Sequence, residues 1–139
     1  MKWNPYLTFG GNCATAFKYY ERVLGGKIVA LMTHGDMPKD EQMQTPPEWK
    51  DMVMHARLVV GDNVLMGSDR PPNSSEKAQG FSVAIQTHDP KEAERIFAAL
   101  ADNGTVTMPL QQTFWAVRFG MLVDQFGIPW MVNCEPKQN

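Results

Sequence analysis

Cysteine is scarce in this chain: Cys13 and Cys134 are the only two in 139 residues, one near each end. There is no C-x-x-C pair and no Cys/His cluster, which argues against a disulfide scaffold and a structural zinc site. The two could pair with each other, but two ordinary thiols in a reducing compartment is the preferred reading, so a cytoplasmic location is expected. Long apolar runs are missing as well. None approaches the ~20 residues that a spanning helix needs, and the opening "MKWNPYLTFGG" lacks the apolar core of a secretory signal. No membrane partner is therefore expected. Neither sign of charge is in excess, with 13 Lys and Arg against 15 Asp and Glu for a net charge of −2. The basic residues form no stripe, so nothing favours nucleic acid as a partner. What is present is ordinary for a globular protein: 43% apolar and 20% charged residues. At this length roughly two-thirds of the unfolded chain's surface can be buried, enough for a core without staples.

One pattern of elements occurs twice. In "PYLTFGGNCATAFKYYERVLGGKIVALM", Leu7 and Phe9 alternate with Tyr6 and Thr8, the period of a half-buried strand. Asn12 is placed to cap the helix that follows. Ala16, Tyr20, Val23 and Leu24 share one helical face, and Gly25-Gly26 ends the helix. In "GFSVAIQTHDPKEAERIFAALADNGTVTMPL", Val83 and Ile85 alternate with Ser82 and Ala84. Asp89 caps the next helix and Pro90 takes its first position. Ala93, Ile96, Phe97 and Leu100 form the stripe, and Asn103-Gly104 stops it. Each unit closes in a hairpin: "MHARLVVGDNVLMGSD", turning at Gly61-Asp62-Asn63, and "AVRFGMLVDQFGIPWMVN", turning over Asp124 to Gly127.

Both halves thus read βαβββ. The expected class is α+β, with two βαβββ modules forming a curved mixed sheet, helices on its outer face and a concave cleft inside. The expected organisation is a single domain over 1–139, made of module one at 3–69, a linker at 70–79 and module two at 80–134. The segment 33–51 is long and polar for a connection, a length often associated with function.

The stretches "PYLTFGGNCATAFKYYERVLGGK", "MHARLVVGDNVLMGSD" and "FWAVRFGMLVDQFGIPWMVN" resemble the vicinal oxygen chelate superfamily, the glyoxalase/bleomycin-resistance fold, and within it the PhnB-like branch. The likeness spans residues 4–134. It implies the fold just described and a homodimer, with both chains often lining each cleft. The branch is sometimes labelled 3-demethylubiquinone methyltransferase-like, but nothing here resembles a glycine-rich loop for a methyl donor. In metal-dependent members the ligands come from the first and last strands of each module. Carried over by position, they fall near Asn4, near Gly67, at Phe81 or Ser82, and at Met131. None of these is His, Asp or Glu, so no metal and no other cofactor is expected.

Strand alternation nominates the functional residues. On 54–60, Met54, Ala56, Leu58 and Val60 suit the helix-covered face, which turns His55 and Arg57 into the cleft. An imidazole beside a guanidinium suits an anionic or carbonyl ligand; a solvent-facing polar strand would carry the same pair. Asp69, two residues from Gly67, shares its face and is either an offset acid or base beside His55 or a turn residue before "RPPN". Tyr6 and Thr8 would floor the cleft. Trp115 would wall the cleft or a dimer interface, or pack in the core, and Gln112 would sit at the cleft's edge. Met121 and Met131 would give it an adaptable apolar lining. Trp130 alternates with Met131 and belongs to the core. Trp49, in 33–51, would dock as a lid over the cleft or in a partner subunit. His34 and His88 read as surface residues.

Three functions follow. The first is a metal-free protein binding a small organic molecule in its cleft, of the bleomycin-resistance type. The second is an enzyme of the lyase, isomerase or dioxygenase kind, built on an offset His55/Asp69 site. The third is a non-catalytic dimerisation module.

Overall fold

The computed structural model describes residues 1–42, 45–71 and 76–137. The chain divides into two compact units, Met1–Glu76 and Lys77–Asn139. Each holds a four-stranded mixed sheet and one twelve-residue helix.

In the first unit the order is β1 (Tyr6–Phe9), α1 (Cys13–Leu24), β2 (Lys27–Thr33), the short helix α2 (Lys39–Gln42), β3 (Val53–Val60) and β4 (Asn63–Asp69). The sheet order is β1-β4-β3-β2, with β1 parallel to β4 and the other pairs antiparallel. One face lies under α1. Leu7, Phe9, Ala56, Leu58 and Leu65 are buried against Ala16, Phe17, Tyr20 and Val23 of the helix. Each large side chain removed from water this way contributes about 1.5–3 kcal/mol. Gly67 sits beneath Phe17: an added Cβ there would come within 2.8 Å of the ring and of the Leu7 carbonyl oxygen.

In the second unit the order is β5 (Val83–Thr87), α3 (Pro90–Ala101), β6 (Thr105–Gln111), β7 (Arg118–Val123) and β8 (Pro129–Cys134). The sheet order β5-β8-β7-β6, with β5 parallel to β8, repeats the first. Ala93, Ile96, Phe97 and Leu100 of α3 are buried on the side of Leu122, Trp130 and Val132. Gly120 leaves room for Phe97, whose ring would stand 2.7 Å from an added Cβ.

The helix signals divide unequally. Asp89 caps α3 as expected, its Oδ1 accepting from the backbone N–H of Lys91 at 3.0 Å and of Glu92 at 3.4 Å. Gly25 closes α1 in the left-handed conformation, φ 73°. Asn12 stands at the N-cap of α1 but its side chain makes no capping bond. Asp69 does that work from the end of β4. Its Oδ1 accepts from Gly11 N–H at 3.1 Å and Cys13 N–H at 3.0 Å, and its Oδ2 from Val53 N–H at 2.9 Å.

Register shifts occur between Ile28 and Ala30 on β2 and between Val106, Met108 and Gln111 on β6, and a further one alters the alternation of β3. Met32 pairs with His55 and Thr33 with Val53, so β3 carries an extra residue, Met54, at this point. Val53 is buried in consequence and Met54 only half-buried. Met54 therefore does not take the fully covered place its alternation with Ala56 and Leu58 suggested.

Candidate functional site

The uncovered faces of the sheets carry Tyr6, Thr8, His55 and Arg57 in the first unit and Met121 and Met131 in the second. In the first unit β1 pairs Leu7 with Gly67, and β3 pairs Ala56 with the same Gly67. All three lie on the α1 side, so their neighbours point the other way. Tyr6, Met66 and Arg57 form one row across the open face through the pairs Tyr6–Met66 and Met66–Arg57. Thr8 pairs with Ser68 in the next row. The Tyr6 and His55 rings stack, centroids 6.1 Å apart and planes 27° from parallel. Tyr6, Thr8, His55 and Arg57 thus share one face, as alternation required. Arg57 is exposed and His55 half-buried.

Asp69 does not join them. It shares the face of Gly67, but that is the helix-covered face, and its carboxylate holds three backbone N–H groups there. An offset His55/Asp69 pair does not form: the two side chains leave opposite sides of the sheet. The assignment of Gly67 to a cleft-facing ligand position is corrected by the same register.

In the second unit the register pairs Met121 with Met131. Both line a concavity of ≈ 600 Å³ with Phe81, Ser82, Thr107 and Pro129. Its lining contains no ionisable side chain. Gln112 and Trp115 lie outside that lining, between β6 and β7. Trp115 is 46% exposed, and its ring stands edge-on to Phe119 at 5.3 Å and to Phe114 at 4.8 Å. It is neither core nor part of the pocket wall. Trp130 is core, 1% exposed.

Trp49 lies in a 3-10 turn, Pro47–Trp49, half-buried with its ring 5.8 Å from that of His34. The base of this segment is tied by His34 N–H to the Met52 carbonyl at 3.0 Å and Gly35 N–H to the Lys50 carbonyl at 2.8 Å. His34 is half-buried rather than a plain surface residue.

Both cysteines are free and buried. Burial, and then the nearby Asp69 carboxylate, push the Cys13 thiol up from 9.0 to about 12. Burial raises Cys134 too, with Asp89 adding to the effect and Arg118 opposing it. Neither is a ready nucleophile. Among the described residues no group of three or more His, Cys, Asp or Glu side chains could hold a metal ion. The carried-over positions offer no such ligand: Asn4, Gly67, Ser82 and Met131 supply no imidazole or carboxylate. The residues present do not fit the metal of the metal-dependent members.

Sequence reasoning passed over Asn133, Phe119 and Asp124. Asn133 was reachable, since it follows Met131 by two residues on β8 and so shares its face. Asp124 was read only as a turn residue. Its carboxylate is buried, accepting from the N–H groups of Phe126 and Ile128 at 2.9 Å each and from the Trp130 indole at 2.8 Å.

Residues 2–132 match the family model described as the glyoxalase/bleomycin resistance protein/dioxygenase superfamily. The chain is 36% identical to protein YjdN of Escherichia coli (strain K12) over 147 aligned residues, covering 99% of this chain and 98% of that one. The crystal structure of protein PA1353 from Pseudomonas aeruginosa is similar over 99% of both chains, with 48% identity and a TM-score of 0.89. The protein from Bacillus cereus titled a putative 3-demethylubiquinone-9 3-methyltransferase, PhnB protein, aligns over 96% of this chain and 99% of that one. Its TM-score is 0.77 and its identity 22%, a likeness of fold. No helix among the described residues is long and apolar enough to cross a membrane.

Proposed function

We propose, for a chain that belongs to the glyoxalase/bleomycin resistance protein/dioxygenase superfamily, that it binds a small organic molecule on the open face of its second unit. The carrying observation is the ≈ 600 Å³ concavity beneath Met121 and Met131. Small-molecule sites run upward from about 300 Å³ and are mostly apolar with few polar groups, and this lining fits that description. Methionine suits such a wall because its unbranched, polarisable side chain adapts to ligand shape. The working form is a cytoplasmic homodimer, the closed two-fold pairing being the commonest assembly for such a chain.

A second reading rests on the first unit. His55 is stacked on Tyr6 and next but one to Arg57 along β3. That face offers a base and a cation to a carbonyl or hydroxylated substrate, for acid–base catalysis without Asp69.

Methionine-methyl NMR with neutral bicyclic aromatic compounds tests the first reading. Saturable shifts at Met121 and Met131 support it. Shifts confined to Met66, with perturbed Tyr6 and His55 rings, would move the site to the first unit. Silence at both would leave the chain as a dimerisation module.

A further inference from the structure

The open face of the second sheet is ordered in two rows. Ladder register sets Ala84, Met131, Met121 and Met108 side by side across β5, β8, β7 and β6. Two residues further along β5, β8 and β7, and three along β6 across a register shift, the ladders align Gln86, Asn133, Phe119 and Gln111. The first row is apolar. The second carries three amides and one aromatic ring. Two residues of strand separate the rows by about 7 Å.

Asn133 is the unusual member, and it lies just outside the lining of the ≈ 600 Å³ concavity, two residues beyond Met131 on β8. It is 8% exposed, and its Oδ1 is buried without a hydrogen-bond partner among the described residues. Its Nδ2 donates to Glu135 Oε1 at 3.3 Å. That bond fixes which way the amide points, because turning it over would set two acceptors against each other. The orphan is therefore an acceptor, and it demands a donor. A buried acceptor left empty costs about 1–3 kcal/mol, a cost that binding a donor would relieve.

Building on the small-molecule reading above, we infer that Asn133 Oδ1 is the specificity-determining acceptor of that site. The ligand class is an uncharged molecule with an apolar body and one N–H or O–H group. Its body lies over the Met131–Met121 row and its donor reaches Asn133. None of the residues in the two rows is ionisable, and the neighbouring Glu135 carboxylate is engaged by Asn133 Nδ2, so an anionic group would lose its hydration there with no positive partner. Phe119 is the register partner of Asn133, and its ring meets that of Trp115, on the segment between β6 and β7, edge-on at 5.3 Å.

The test uses 2-naphthol and 2-methylnaphthalene, a pair of one shape that differ in the O–H donor. The wild-type protein should bind 2-naphthol at least about fivefold tighter. In Asn133→Leu the ratio should fall to near one, with 2-methylnaphthalene binding little changed. An undiminished preference in the variant overturns the assignment of Asn133. In that case shifts of the Met121 and Met131 methyls by both probes leave the small-molecule reading intact. No shift of those methyls by either probe overturns both. Should Asn133→Leu fail to fold, the wild-type Asn133 side-chain amide resonance decides. It should move with 2-naphthol and stay with 2-methylnaphthalene; equal response to both overturns the proposal.

Discussion

The Asp124 carboxylate is bound to the indole of Trp130, Oδ2 to Nε1 at 2.8 Å, across the turn that joins β7 to β8. The other oxygen holds the N–H groups of Phe126 and Ile128. Asp124 is 4% exposed and Trp130 1%. A buried charge is tolerable here because three donors converge on it.

Asp124→Asn replaces one accepting oxygen by a donor and sets it against N–H groups. The variant should lose about 2–4 kcal/mol of stability, measured by urea denaturation. Trp130→Phe, which removes only the indole donor and some volume, should lose less. Equal stability of Asp124→Asn and wild type would contradict this account of the turn.

Asp69 should prove structural. Asp69→Asn leaves a single carbonyl oxygen for three backbone donors and removes the negative charge from the start of α1, so a loss of about 2–3 kcal/mol is expected. The loss should appear in hydrogen exchange at the α1 amides. A variant of wild-type stability that had lost an enzymatic activity would reinstate Asp69 as an acid or base.

Stability should fall in alkali through Cys13. Its folded pKa of about 12 lies above the ordinary 9.0. The unfolded chain therefore loses this proton first. The contribution is complete below about pH 9 and disappears as pH rises toward 12, with a slope of up to about 1.4 kcal/mol per pH unit. Denaturation of wild type and Cys13→Ala from neutral pH upward isolates it: the gap between the two should narrow above pH ~9. A constant gap would refute the assignment.

His55→Ala and Trp115→Ala should both leave the fold intact. His55 gives up a stack with Tyr6 on an open face, and Trp115 its edge contacts with Phe114 and Phe119 while 46% exposed. Each should cost about 0.5–1.5 kcal/mol in thermal or urea unfolding. A loss near the ~3–5 kcal/mol of a buried aromatic would show that the ring is covered in solution.

Much of this architecture could be read from local signals. Alternation placed Leu7 and Phe9 under a helix and turned His55 and Arg57 away from it, and Asp89-Pro90 marked the start of α3. The failures share a cause. Alternation turns Gly67 toward a cleft and leaves Asp69 open between a cleft acid or base and a turn residue, because nothing local states how β4 registers against β1. The observed Leu7–Gly67 pair, between residues far apart in the chain, puts both on the helix side. The extra residue at Met54 is likewise a property of the β2–β3 ladder rather than of "VMHAR" itself. Asn12 had the right chemistry for a cap and lost the place to a carboxylate 56 residues from Cys13. Trp115 lies on a segment between strands, where no period constrains a side chain, so alternation leaves cleft wall, dimer interface and core equally open.

The two caps set an order of events in folding. Helix α3 carries its own cap, Asp89, two and three residues from the amides it holds. Its start can be secured as soon as the helix nucleates, on the microsecond scale of helix formation or faster. Helix α1 borrows its cap from Asp69, beyond β2, β3 and the hairpin turn. That bond closes a loop of more than fifty residues, and the chain entropy must be surrendered before any of it forms. The same carboxylate grips Val53 on β3, so the cap of α1 and the strand contact mature together. Pulsed hydrogen exchange during refolding should find α3 amides protected first, with those of α1 and the start of β3 appearing later and in step.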